Sequence, residues 1–138
     1  MSRVIRAHAG IGPSVTGTAL VAADHFSARY DLDRIRGVFS RPQHALYGQG
    51  YVGRVLVLLG AKGGVATSWM LREMVERGMA PAALLLNTAN PIMAQGAAFA
   101  GLAFMDRFEG DVTTLIHTGD EVFVEPAAGR VTVRPTSG

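Results

Sequence analysis

The chain has no cysteine among its 138 residues. That absence excludes a disulfide framework, a thiol nucleophile and any iron–sulfur cluster held by this chain alone. Charge of one sign is scarce too: a formal net charge of +2 gives no electrostatic footprint for nucleic acid. The arginines lean towards the first third of the chain (Arg3, Arg6, Arg29, Arg34, Arg36, Arg41, Arg54), without a basic run interleaved with aromatics. Between Gly78 and Met105 charge is missing altogether. That stretch is long enough for a membrane span, but Asn87, Asn90, Pro91 and Gln95 interrupt it, and it reads better as a buried strand, turn and helix. The opening MSRVIRAHAG lacks the apolar run of a signal peptide, which makes the cytoplasm the expected compartment. Lysine is nearly absent: Lys62 is alone of its kind.

What is present is 49% hydrophobic residue and 17 glycines in a length that fits one ordered domain. Residues 1–13, polar with early glycines, read as a flexible N-terminal tail, and 14–138 as a single domain. Ser14 to Asp24 alternates as a strand does. Residues 25 to 50 hold no long periodic segment and read as an extended loop region with room for one short strand. GRVLVLLG is a continuous apolar run, expected of a strand covered on both faces.

The segment TSWMLREMVERG places Met70, Leu71, Met74 and Val75 on one helical face and Arg72, Glu73, Glu76 and Arg77 on the other, with Gly78 as the stop. APAALLLN then predicts a strand, NTANP a turn, IMAQGAAFAG a helix of small residues, and LAFMDRF a third strand. This alternation predicts a small parallel βαβαβ core. EVFVEPAAGRVTVRP predicts a terminal hairpin that forms, with the early strand, a separate β layer. The fold class expected is α/β, arranged as β on β on α.

The chemistry concentrates at LLGAKGGVATS, residues 58 to 68. Gly60, Ala61, Lys62, Gly63 and Gly64 make a glycine-rich turn from a buried strand into a helix. Backbone N–H groups exposed at a helix start favour an anion, and Lys62 adds a charge beside them. The pattern matches neither the phosphate-binding P-loop nor the dinucleotide fingerprint. The alternative is a turn that is merely tight, with Thr67 or Ser68 as the helix N-cap. His8, His25, His44 and His117 are scattered without a nearby carboxylate cluster, which argues against a metal site built by this chain. No nucleophile triad and no paired carboxylates are evident, so any catalytic role is that of a subunit.

In order, QHALYGQ, GRVLVL, the glycine turn, ERGMAPAALLL, NTANPIMAQGA, a short strand with an aspartate and IHTGDEV with its hairpin resemble the small, swivelling-domain subunit of the aconitase X family, from about Val15 to Val133. The resemblance implies a swivelling β/β/α domain. It also implies a large aconitase-X-like partner subunit that carries most of the active site and, in some members, an iron–sulfur cluster or another metal. Family members are hydro-lyases that dehydrate small hydroxy acids, such as cis-3-hydroxy-L-proline or a phosphorylated mevalonate.

The family's turn resembles Gly-Arg-Gly followed by serines, the first of which moves a proton. Here the arginine falls on Lys62, the glycine on Gly63 and the first serine on Gly64. The next two serine positions fall on Val65 and Ala66, and hydroxyls return only at Thr67 and Ser68, where Ser68 matches a family serine. The resemblance therefore implies that Lys62, Gly63 and Gly64 bind a substrate carboxylate and that Thr67 or Ser68 assists proton transfer. Two other functions stay open because glycine cannot move a proton: a non-catalytic carboxylate- or partner-binding domain, or an isomerase or decarboxylase on the same scaffold.

Overall fold

The computed structural model describes residues 2–27, 31–61, 65–89 and 91–135. Its parallel core follows the apolar runs. Strand β6 (Val55–Ala61) leads into helix α1 (Val65–Glu76), β7 (Ala83–Thr88) into α2 (Pro91–Ala100), and β8 (Ala103–Met105) completes the unit. Val55 pairs with Ala83, and Ala83 with Ala103, all in parallel register. Pro91 stands at the first helical position of α2, where no N–H is needed. Beyond the end of α1 at Glu76, Gly78 has a φ of +71°, which lets Met79 N–H reach the Met74 carbonyl at 2.8 Å and Gly78 N–H reach that of Val75 at 3.1 Å.

The hairpin is β9 (Glu121–Glu125) and β10 (Arg130–Arg134), joined by a 3₁₀ turn at Pro126–Ala128. A short helix α3 (Val112–Leu115), which sequence patterning did not suggest, precedes it. The β layer is not separate from the core. Strand β2 (Val15–Val21) pairs antiparallel with β9 through Val15–Thr18, then parallel with β6 through Ala19–Val21.

Alternation along the parallel strands divides the interior in two. Val55, Val57, Ala83, Leu85, Ala103 and Met105 face Val122, Val124, Val131 and Val133 of the hairpin. Leu56, Leu58, Leu84, Leu86 and Phe104 face Leu71 and Met74 of α1 and Met93, Ala97 and Ala100 of α2. This is the expected β/β/α stack, with the parallel sheet as its middle layer.

Two expectations are corrected. The N-terminal segment is no loose tail: β1 (Arg3–Arg6) pairs antiparallel with β10, and Ile5 is buried in the β/β core. Beyond it Ile11 exchanges two backbone hydrogen bonds of 2.9 Å with Phe104, so the segment covers the free edge of β8. Among its described residues the loop region from 25 to 50 holds three two-residue strands rather than one: β3 (His25–Phe26), β4 (Leu32–Asp33) and β5 (Val38–Phe39). Its Phe39, Leu46 and Tyr51 are buried in the helix-side core. Among the described residues no helix is long and apolar enough to cross a membrane.

Candidate active site

In a parallel sheet the ligand crevice lies beyond the carboxyl ends of the strands. Here β6 ends at Ala61, β7 at Thr88 and β8 at Met105, followed by Asp106 and Arg107. The short β3 joins the same edge, with His25 opposite Gly60 and Phe26 opposite Ala61. A side chain at Gly60 would stand 3.3 Å from His25 Cδ2 and 3.3 Å from Thr88 Oγ1, so the bare glycine lets these two residues approach across the strand end. A cavity of 370 Å³ opens at Thr88, lined also by Ala89, Pro91, Ala94, Asp106 and Arg107. That volume suits a small metabolite.

His25 is exposed, but its backbone is fixed at both ends. Its N–H donates to Asp24 Oδ1 at 2.7 Å, and its carbonyl accepts from His44 Nε2 at 2.7 Å. Leu46 N–H donates to His44 Nδ1 at 3.0 Å, so the ring proton sits on Nε2, facing His25. The buried His44 ring stacks on Phe39, 4.6 Å between centroids. Beneath it Asp31, also buried, accepts from Ser27 N–H at 2.9 Å and pairs with Arg41. Partial burial opposes ionisation of Asp24, but the N–H groups of Ala45 and His25, with the Arg41 charge nearby, hold its pKa below the ordinary aspartate value.

On the other side of the cavity Arg107 has a φ of +53°, the left-handed region that non-glycine residues rarely occupy. The conformation costs on the order of 1–2 kcal/mol for an L-residue. It is held by backbone hydrogen bonds: Arg107 N–H donates to the Asn87 carbonyl at 3.2 Å, and the Arg107 carbonyl accepts from His8 N–H at 3.3 Å. Asn87 also ties the end of β7 to α3. Its amide donates to Asp111 Oδ1 at 2.8 Å and its carbonyl oxygen accepts from Val112 N–H at 2.8 Å. Hydrogen bonds from Asn87 and Thr113 hold the Asp111 carboxyl below its usual range.

The residues expected from the sequence to act fall into two groups. Lys62, Gly63 and Gly64 lie outside the described residues, as does Asn90. Thr67 and Ser68 are the third and fourth residues of α1 and not its cap, because the helix already begins at Val65. Thr67 is buried. Ser68 is half-buried in the seam between α1 and α2: a Cβ built on Gly96 would lie 2.7 Å from Ser68 Oγ. Sequence reasoning missed His25, Thr88 and Arg107. Strand β3 and the ends of β7 and β8 bring them to the same end of the sheet, and no local spacing announces that.

Not all of the uncharged stretch is buried. Phe99 is 43% exposed and meets Trp69 edge to face at 5.0 Å, with the Arg72 guanidinium 4.5 Å from the Phe99 ring centre. Exposed aromatics of this kind are enriched where proteins associate. Among the described residues no group of three or more His, Asp or Glu side chains could hold a metal ion. With no cysteine either, the described residues do not fit an iron–sulfur cluster.

Comparison with known proteins agrees with this geometry. A sequence model of the aconitase X swivel domain matches residues 4–133. The chain belongs to the aconitase X family. It is 37% identical over 125 residues to the phosphomevalonate dehydratase small subunit of Methanocella arvoryzae, covering 91% of this chain and 95% of that one. The corresponding protein of Methanopyrus kandleri is 35% identical over 119 residues, 86% of this chain and 87% of that one. The crystal structure of aconitase X from Thermococcus kodakaraensis in its holo form superposes with a TM-score of 0.88 over 96% of this chain and 99% of that chain, at 22% identity. At that identity the likeness establishes the fold, which is that of an aconitase X swivel domain.

Proposed function

We propose that this aconitase X chain is the cytoplasmic small subunit of a heteromeric dehydratase that removes water from a small hydroxy acid and is inactive alone. The hydroxy acid is a phosphorylated one of the kind that names the archaeal relatives, in preference to cis-3-hydroxy-L-proline. One observation carries the reading: in a chain so similar to dehydratase small subunits, β7 and β8 end at one cavity with Thr88, Asp106 and Arg107 on its wall, and β6 runs parallel beside β7 to the same end of the sheet. Between the end of β6 at Ala61 and the start of α1 at Val65 the sequence carries Lys62, Gly63 and Gly64, and these bind the substrate carboxylate. Thr67 and Ser68 assist proton transfer, and a large subunit supplies the remaining groups, including any cluster or metal.

Ser68 favours a second reading. Its hydroxyl is packed against Gly96, where its first duty is to let two helices meet. A domain that binds a carboxylate or a partner without turnover would have the same seam. Co-expression with a large aconitase-X-like protein, followed by assay of water loss from phosphorylated and unphosphorylated hydroxy acids, separates the two. Turnover by the complex that falls a hundred-fold or more in Lys62→Ala or Ser68→Ala supports the dehydratase. A stable complex that binds the acids and releases no water sinks it and leaves the binding domain.

A further inference from the structure

The buried polar network beneath β3 is larger than one exposed loop residue would need. Asp24 Oδ1 and His44 Nε2 hold the N–H and the carbonyl of His25, and both holders are themselves fixed. Asp24 Oδ2 accepts from Ala45 N–H at 3.1 Å, and Leu46 N–H donates to the other nitrogen of the His44 ring. The Asp24 and Asp31 carboxylates each stand 3.8 Å from His44 Nε2. Burial of His44 and Asp31 costs free energy that an apolar filling would not. What the network secures is the place of β3 beside β6. There the His25 ring lies beside Gly60, with Thr88 Oγ1 on the other side of the glycine. Among the described residues neither ring nitrogen of His25 has a hydrogen-bond or ion-pair partner. An imidazole held by its backbone and free at its ring can take and give a proton near neutral pH.

We infer that His25 is a catalytic residue that takes the proton from the carbon beside the substrate carboxylate, and that His44 is the residue that positions it. The inference rests on the dehydratase reading and names the proton acceptor within it. The C–H electron pair becomes the new double bond, and the hydroxyl leaves the neighbouring carbon with the C–O pair. The imidazolium returns its proton to the departing hydroxide, which is released as water, so no other reagent is consumed. Thr67, buried, and Ser68, half-buried in the helix seam, assist from behind. The rival for the proton is Asp106, the carboxylate on the cavity wall. It follows β8, two strands from β6, with Arg107 Nε 3.4 Å from its Oδ1.

The test uses the chain co-expressed with its large subunit. His25→Ala is expected to lower kcat a hundred-fold or more while KM changes less than about three-fold. Added imidazole should raise the activity of that variant at least ten-fold and do nothing for Asp106→Asn. A near-parent kcat in His25→Ala, or no response to imidazole, overturns the inference. His44→Ala is expected to cost about ten-fold in kcat in the parent and nothing further once His25 is alanine. Equal losses in both backgrounds make His44 merely structural and overturn its positioning role. His44→Gln, which keeps a donor and an acceptor in the buried site, serves the same comparison if His44→Ala does not fold.

A readout without turnover separates this inference from the reading beneath it. Diethyl pyrocarbonate modifies exposed imidazoles. A bound phosphorylated hydroxy acid is expected to slow modification of His25 at least ten-fold and to leave His117, 73% exposed before β9, unchanged. A parent complex that shows this protection and releases no water defeats the dehydratase reading, and the proton step with it, leaving His25 a ligand contact. Water release that survives His25→Ala defeats the inference alone.

Discussion

Replacing Gly96 by alanine sets two effects of known size against each other. In the interior of α2, alanine is favoured over glycine by about 1 kcal/mol through backbone entropy. Against this, the new methyl group would stand 2.7 Å from Ser68 Oγ, 3.1 Å from Ser68 Cα and 3.2 Å from Ser68 Cβ. The hydroxyl can rotate away. The Cα and Cβ atoms cannot, and they yield only if α1 and α2 move apart by a few tenths of an ångström. Overpacking of this kind costs about 1–3 kcal/mol, so the net expectation is a loss of about 1 kcal/mol.

For a chain of this length that is a fall in Tm of roughly 2–5 °C, readable by calorimetry or circular dichroism. A double-mutant cycle with Ser68→Gly isolates the steric part, because removing Cβ and Oγ relieves most of the clash while the propensity terms cancel. A coupling energy of at least about 0.5 kcal/mol is expected. A Gly96→Ala protein that melts higher than the parent, with no coupling to position 68, would refute the account of the seam.

Two other substitutions probe the interior under the site. Tyr51 is fully buried and edge-on to Phe39, and among the described residues its hydroxyl has no hydrogen-bond partner. Tyr51→Phe is therefore expected to be neutral or to stabilise by about 1 kcal/mol, measured by urea denaturation. Burial pushes the Tyr51 pKa up to about 12 from an ordinary 10. In that window the folded state holds a proton that the unfolded state has released. The linked stability is therefore complete below pH 10 and is lost as pH rises towards 12; Tyr51→Phe should flatten that part of the profile. Asp31→Asn weakens the contacts to Arg41 and Ser27 beneath His44, and a loss of about 2 kcal/mol is expected, part of the charge being regained by Arg41 in water. An unchanged denaturation midpoint would remove Asp31 from the support of His25.

The parts of the fold that were legible in the sequence are those whose cause is local. GRVLVLLG and APAALLLN declare strands covered on both faces, Gly78 declares a helix end, and the EVFVE and RVTVR runs declare a hairpin. The N-terminal strand was illegible because RVIR has one buried residue, Ile5, and takes its meaning from partners more than a hundred residues away. The region around His44 looked like open loop for a similar reason: its polar residues are satisfied by one another, and the burial of Phe39 and Tyr51 exists only once the helices cover them. The glycine-rich stretch from Gly60 to Gly64 stands out by composition, and its Lys62, Gly63 and Gly64 lie outside the described residues. The cavity does not stand out, since Thr88 follows an unremarkable leucine run and Arg107 looks like the charged end of a strand until its backbone angle is seen.

The middle sheet has a consequence for how the chain tolerates change in length. Because odd positions of β6 face the hairpin and even positions face the helices, a slip of one residue would exchange the complete set of neighbours on both sides at once. A strand with one wet face that slips loses a single core. Here both are forfeited together, which leaves no half-correct register in which a misfolded chain could rest. An insertion or deletion within β6 or β7 would therefore disrupt both cores together, whereas a change of length in the connections at the strand ends leaves the register of both intact.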